Sequence, residues 1–405
     1  MNFSFFIANR LSFKRAGGFS ETIHRIAIGS LALGLGVSIL AFMILGGFQS
    51  TVSDRVFDFT GHYQVQRYMM SNAFEEMPFS KRSRFFENYR ELPFVEKVQS
   101  YANKAALMKG ESEVEGILMK GMGSDFDSLT FQQYLIEGRM LQIPEEGTSN
   151  EIMISKYLAN RLLIGLGDRV TLYFVQNPPR FRRATVVGIF ETYLENFDQK
   201  VVIGELQTIR NLNGWTNDQI GGLEIFVDDS EASQSQIREI ENVLDSDLKL
   251  VDSREKFREI FDWLALLDTN VYVFVGLIGF VAIFNMGAIL FILIMERTQM
   301  IGVLKALGTR DKQIRRIFLW NGFRILLRGL LIGNAIGLGL GFLQDQFKLI
   351  PLDAASYYMA YVPIYWNWPV FLALNLGISL LTMLVTLVPV LAISKVDPIK
   401  SIRFD

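Results

Sequence analysis

Four apolar runs decide what this chain can become: residues 26–48, 269–295, 317–345 and 368–393. Inside hydrocarbon every backbone N–H and C=O must find its partner within the segment, so runs of this kind cross a bilayer as α-helices. At 1.5 Å per residue the first run reaches about 34 Å, enough for a hydrocarbon core of about 30 Å. It is also too long for the core of a typical signal peptide and lacks a clean small-residue cleavage pattern, so it is expected to remain as the first span. The hydrophobic share of the 405 residues is 50%, and the excess lies in these runs instead of being spread evenly, as a membrane protein requires.

The stretch from 49 to 268 is a different material, charged and punctuated by turns, with nothing long enough to span. Val65, Ile117 to Met119, Val170 to Val175, Thr185 to Ile189 and Leu223 to Val227 sit in short β-branched or apolar runs that predict strands. Lys81 to Tyr89, Lys156 to Ile164 and Ser233 to Leu244 predict helices. The fold class is therefore four transmembrane α-helices with one large α+β domain inserted between helices one and two. Between two predicted strands, Gln176-Asn-Pro-Pro-Arg-Phe-Arg-Arg183 cannot continue a ladder at its prolines and is expected to project as a hairpin tip.

Counting lysine and arginine orients the spans. The loop 296–316 holds six, at Arg297, Lys305, Arg310, Lys312, Arg315 and Arg316, whereas the loop 346–367 holds only Lys348. Positive charge collects on the cytoplasmic side, so both termini are expected inside and the large domain outside. Residues 1–25 mix Phe3, Phe5, Phe6 and Leu11 with Arg10, Lys14 and Arg15, which suits a cytoplasmic helix lying in the headgroups; 394–405 forms a basic cytoplasmic tail.

The basic loop carries a pattern of its own. From Thr298 to Leu307 helix formers predominate, and Met300, Ile301, Leu304 and Leu307 recur at three- and four-residue spacing on one face. Gly308 should stop this helix, Thr309 cap the next, and Asp311 suit the positive end of its dipole. A short amphipathic helix held between two spans must lie on lipid or fill a groove on a soluble partner, and the partner is the reading adopted here.

Several chemistries are excluded. A net charge of −2 gives no basic field for nucleic acid, and with no cysteine there is no disulfide, thiolate metal site or cysteine nucleophile. His24 and His62 do not make a metal-ligand spacing, and no bound metal is expected. No Gly-x-x-x-x-Gly-Lys-Ser/Thr loop occurs, so this chain is expected to bind no ATP and no other cofactor. No spacing assembles a nucleophile, base and orienting acid, so no catalytic residue is assigned and the chain is read as no enzyme. Gly333, Gly337 and Gly341 line one side of the third span and should let a neighbouring helix come close. Asn285, Asn334 and Asn375, near the middle of their spans, are expected to hydrogen-bond between helices.

One span, a large outer domain, three further spans and a basic handle after the second resemble the permease subunits of ATP-driven transporters of the MacB and FtsX kind. Finer likeness runs nearly end to end: Ile26-Ala-Ile-Gly-Ser-Leu-Ala-Leu-Gly34, Gly47-Phe-Gln49, Glu137-Gly-Arg139, Asn150-Glu-Ile152, Gly167-Asp-Arg-Val170, Glu296-Arg-Thr298, Ile301-Gly-Val-Leu-Lys-Ala-Leu-Gly308, Pro351 with Tyr357-Tyr358, and Asp397-Pro-Ile-Lys-Ser-Ile-Arg403. Together these resemble the lipoprotein-releasing permeases of diderm bacteria, multi-pass proteins of the inner membrane.

That resemblance implies a set of partners. Thr298, Met300, Ile301, Leu304, Lys305, Leu307 and Gly308 would form a coupling helix docked in a cytoplasmic ABC ATPase, present in two copies and carrying the ATP and magnesium. A second copy of the chain, or a related permease, would complete the membrane unit. Phe42, Leu45, Phe48, Phe274 and Ile278 would touch the acyl chains of a lipoprotein drawn from the outer leaflet. The hairpin with Pro178, Pro179, Arg180, Phe181 and Arg182 would sit where a hook binds a periplasmic carrier, although its tip is short for that hook. MacB-like export of another amphiphile and an FtsX-like scaffold regulating a cell-wall hydrolase are the other readings the family allows.

Overall fold

A computed structural model describes residues 19–68, 76–110, 113–144, 147–228 and 234–393. Most of the expected headgroup helix, the cytoplasmic tail and the closing motif from Asp397 lie outside these residues. Among the described residues four helices are long and apolar enough to cross a membrane. They run over Phe19–Thr60, Arg258–Glu296, Asp311–Phe347 and Trp368–Ala392, and a short helix, Thr298–Ala306, sits between the second and third. The first two extend well past the apolar runs that predicted them. At 1.5 Å per residue the 42 residues of the first reach about 63 Å, about twice a hydrocarbon core, so the helix continues into water.

Contacts divide the chain into two compact units. One holds the spans, with 1–50, 263–351 and 361–405, and the other holds 51–262 and 352–360. In the first unit the third span approaches the first along a row of glycines one turn apart. Gly333 and Gly337 face Ala32, Leu35, Gly36 and Ile39, and a Cβ placed on Gly337 would meet Gly36 O at 3.0 Å. Gly329, facing Leu31, extends the row the sequence had begun at Gly333, and Gly341 closes it against Met43. Polar side chains link the helices as expected. Asn334 and Asn375 exchange hydrogen bonds of 2.7 and 3.1 Å between the third and fourth spans, and Asn285 donates to Ser30 Oγ at 3.1 Å. His24 lies 3.3 Å from Asn321 Nδ2.

In the second unit the strands are β1 (Tyr63–Arg67), β2 (Phe79–Ser80), β3 (Val95–Lys109), β4 (Val114–Met122), β5 (Leu135–Gly138), β6 (Glu151–Ser155), β7 (Arg169–Phe174), β8 (Arg180–Phe190), β9 (Val201–Glu205), β10 (Gln219–Ile220), β11 (Gly222–Val227) and β12 (Leu248–Asp252). Ten of them form one sheet, nine in the order β12-β1-β11-β3-β4-β9-β6-β8-β5 and β7 off that path, while β10 pairs with β2. Strand β7 pairs with both β3 and β8, so β3, β4, β9, β6, β8 and β7 close into a ring. The 15-residue β3 is the spine of this arrangement, paired along one edge first with β11 and then with β7, and along the other with β4. Alternating residues from the ring, among them Met108, Ile117, Ile152, Val186, Val202 and Leu172, fill its core.

The predicted strands and helices lie where expected, but β2, β3, β5, β6, β9, β10 and β12, with the helix Leu206–Asn213, were not anticipated. β3 reads Gln99-Ser-Tyr-Ala-Asn-Lys104 at its centre, a polar run that tertiary pairing, not local apolar patterning, makes a strand.

The glycine row sets a testable limit. A leucine side chain at Gly337 must push apart two backbones, an overpacking cost of about 1–3 kcal/mol or more. Gly337→Leu is expected to lower the thermal midpoint and the monodisperse yield of the detergent-purified chain. Gly276→Leu, where a Cβ meets nothing within 4 Å, should leave both unchanged.

Candidate functional site

The handle forms as the helix Thr298–Ala306, and Gly308 stops it with φ +83°. The next helix begins at Asp311 with Arg310, not Thr309, at its cap position, where the Arg310 N–H donates to Gln313 Oε1 at 3.3 Å. Most of the stripe the sequence marked as the docking face is turned toward the chain itself. Ile301 is 0% exposed in a cluster with Leu293, Ile294, Ile314, Phe318, Val390 and Ile393, and Met300 and Leu304 pack partly buried against it. Lys305 also points inward, to Asp311 and Ile393. The expectation of one outward stripe is corrected accordingly: the spans themselves offer the nearest apolar surface, and the stripe takes it. What remains exposed is Leu307, at 78%, with Val303, at 44%, one turn before it. Val303 was missed because it lies between two possible stripes, and sequence alone does not say which one the spans will cover.

The five residues assigned to the acyl chains stand in different surroundings. Phe42 meets Tyr272 edge to face at 5.6 Å, and Phe48 meets Trp263 at 6.4 Å, both joining the first helix to the second. Leu45 is buried, Ile278 lies beside Gly34, and Phe274 is 65% exposed. Phe274, with Leu277, Phe280 and Phe284, belongs to a broad exposed apolar face of the second span.

In the inserted domain, Val175 to Pro179 connect β7 to β8, and the Asn177–Pro178 peptide is cis. Pro178, Pro179, Phe181 and Arg182 are exposed as expected. Arg180 is exposed as well, and its guanidinium reaches back to the domain, donating to Asn211 O at 3.2 Å and Leu212 O at 3.1 Å. Strand register adds two residues the sequence did not reveal. Leu107 is opposite Tyr173, and Tyr173 is opposite Phe181, so three exposed apolar side chains form one row across β3, β7 and β8. The next row on that face, Lys109, Thr171 and Arg183, adds two cations.

A buried polar network lies at the top of the first helix. Lys120 Nζ is 2.7 Å from Glu224 Oε1 and also donates to Phe59 O, a carbonyl in the last turn of that helix. Glu224 accepts from Gln64 Nε2 at 3.2 Å and Gln99 Nε2 at 2.9 Å, while Gln64 Oε1 accepts from Lys256 at 2.6 Å. Ser253 Oγ donates to Gly61 O at 2.7 Å. Lys120 thus faces the negative end of the helix dipole, and both Lys120 and Glu224 are compensated by partners. Nearby, burial pushes Glu76 up to about 7 against the opposing hydrogen bonds of Asn103, and holds Lys256 below its ordinary range. Burial also lowers His62 to about 4, with Arg254 and Lys97 adding to the effect. Among the described residues no cluster of three or more His, Asp or Glu could hold a metal ion.

Residues 26–243 match the MacB-like periplasmic core domain and residues 272–398 the FtsX-like permease C-terminal model. The chain therefore belongs to the MacB/FtsX-like permease family, whose two parts occur here in order: a domain inserted after the first span, then three spans with the handle. Its relatives include the "Lipoprotein-releasing system transmembrane protein LolC" of Haemophilus influenzae, 25% identical over all of both chains. The LolC of Xylella fastidiosa strain 9a5c is 21% identical over 97% of this chain and 96% of its own length. The LolE of Haemophilus influenzae is 21% identical over 98% of each. The periplasmic region of MacB from Actinobacillus actinomycetemcomitans overlays 49% of this chain and 91% of its own at 12% identity, with a TM-score of 0.34.

The buried carboxyl gives a pH signature. Because the pKa of folded Glu76 lies above the ordinary 4.5, the folded chain binds its proton more tightly than the unfolded chain does. Stability from this group is thus largest at low pH and is lost as pH rises through about 7. Glu76→Gln should remove that loss, so its thermal midpoint relative to wild type rises between pH 5 and pH 8. Scans of both proteins across that range check it, and the His62 contribution, common to both, cancels.

Proposed function

We propose that this chain is the membrane subunit of an ATP-driven machine of the inner membrane that lifts acylated lipoproteins out of the outer leaflet and hands them to a soluble carrier. The carrying observation is the handle: a short helix anchored by Ile301 in the ends of the spans while Val303 and Leu307 face outward. An exposed apolar pair on a cytoplasmic loop fits a groove on a separate ATPase, which would supply the energy this chain does not generate. Near-complete correspondence with relatives named for lipoprotein release supports the cargo class.

Magnitudes explain why a carrier is needed. Three acyl chains with on the order of 40 CH₂ groups, at about 0.8 kcal/mol each, would cost around 30 kcal/mol to leave in water. Free release is excluded, and a shielded acceptor must take the chains. The row Leu107, Tyr173 and Phe181, flanked by Lys109 and Arg183, is the surface we assign to that acceptor, together with the exposed tip at Pro178 and Pro179 and the exposed Arg182 in β8 beside it. Two copies of the membrane unit, or this chain with a related one, would enclose the cargo beside Phe274 and the exposed face of the second span. Closure of two ATPase subunits would drive the handles and narrow that space. Both termini would be cytoplasmic.

Leu307→Asp is expected to reduce ATP-dependent transfer of a labelled lipoprotein from nanodiscs to a soluble acceptor at least tenfold, with co-purification of the ATPase falling in parallel. It is a cleaner probe than a change at Leu304, which is partly buried in the chain's own core. Phe181→Asp should instead spare ATPase binding and weaken transfer to the acceptor. Wild-type complex that hydrolyses ATP yet transfers no lipoprotein would overturn this reading in favour of the regulatory scaffold.

A further inference from the structure

Lys305 stands where three segments meet. It is 12% exposed, its ammonium lies 3.2 Å from Asp311 Oδ1 in the first turn of the third span, and it donates to Ile393 O at 3.1 Å, immediately after the fourth span. The carboxyl end of a helix carries partial negative charge, so a lysine beside it is held by both a hydrogen bond and a dipole. Along the chain, the fourth span is reached from the handle only through the whole third span and the loop after it. In space, Lys305 crosses that gap directly.

We propose that Lys305 is the pin that makes the handle move the fourth span together with the third. The apolar cluster around Ile301 also joins these elements, but apolar contact is non-directional and lets helices slide past one another. A hydrogen bond to one named carbonyl fixes register. Asp311 holds the ammonium between the two helix ends, and the stem lies along the cluster. Displacement of the handle is thereby divided between two spans instead of passing to the third alone. Lys305 is thus a positioning residue, touching neither cargo nor nucleotide. This inference rests on reading the handle as the element that receives force, and it adds how that force is distributed.

With no cysteine in the chain, Gln299→Cys and Leu391→Cys place a single spin-label pair on exposed positions at the handle, outside the Val303 and Leu307 pair, and at the end of the fourth span. The pair is read first in the purified full chain in nanodiscs, then in the complex with its ATPase with and without trapped ATP. Wild type and Lys305→Arg should give one narrow distance in every state. Lys305→Met, which keeps the stem and loses the charge, should give a broad distribution. It should also lower lipoprotein released per ATP hydrolysed at least fivefold, while the ATPase subunit still binds and turns over. Asp311→Asn, leaving the ammonium on Ile393 O, should fall between them and serves if Lys305→Met is poorly folded. A Lys305→Met distribution as narrow as wild type in the chain alone overturns the pin, whatever the chain transports. Failure of the wild-type complex to release lipoprotein overturns the functional reading instead and leaves the distance result standing by itself.

Discussion

Lipid tails are as apolar as leucine, so the hydrophobic effect does not draw membrane helices together. What remains is close packing and hydrogen bonding. The third span meets this constraint with its glycine row, which brings its backbone against Ala32 and Gly36 of the first span. The reciprocal Asn334–Asn375 pair then fastens the fourth span to the third, and Asn285 fastens the second to the first through Ser30. Each amide satisfies a group that would be costly to leave unpaired in hydrocarbon. The order of helices in this unit thus follows from a few small and polar residues, while the many exposed leucines and phenylalanines face outward.

The handle shows how the same bundle decides which residues can act on a partner. A short helix beside the ends of three spans loses its best apolar stripe to them, because Ile301 finds Ile314, Phe318 and Val390 close at hand. Only the residues on its far side stay free for another molecule. This separation gives the helix an internal grip and an external face, both needed if a push on one is to move the other.

Much of this was legible in the sequence. Apolar runs set the spans, Gly308 ended the handle, and the span asparagines announced their hydrogen bonds. The failures have physical causes. Span helices extended beyond their apolar runs because polar residues such as Asp54 and Arg258 continue a helix as readily in water. β3 was hidden because its polar centre is stabilised by β11 and β4, which lie far away in sequence. The Lys120–Glu224 pair was invisible because a lone charge in a strand looks solvated until pairing buries it. Which stripe of the handle faces the bundle, and that Tyr173 stands between Leu107 and Phe181, depend on rotation and register, which no local pattern encodes.

The closed pairing of β7 with both β3 and β8 has a thermodynamic consequence for whatever meets this domain. An ordinary hairpin would have to give up conformational freedom on capture, offsetting part of the contact energy. Here ladders on both sides of Tyr173 have already ordered the apolar row, so little entropy is left to lose on encounter. A surface of that kind can release its visitor as readily as it receives it, without refolding between rounds.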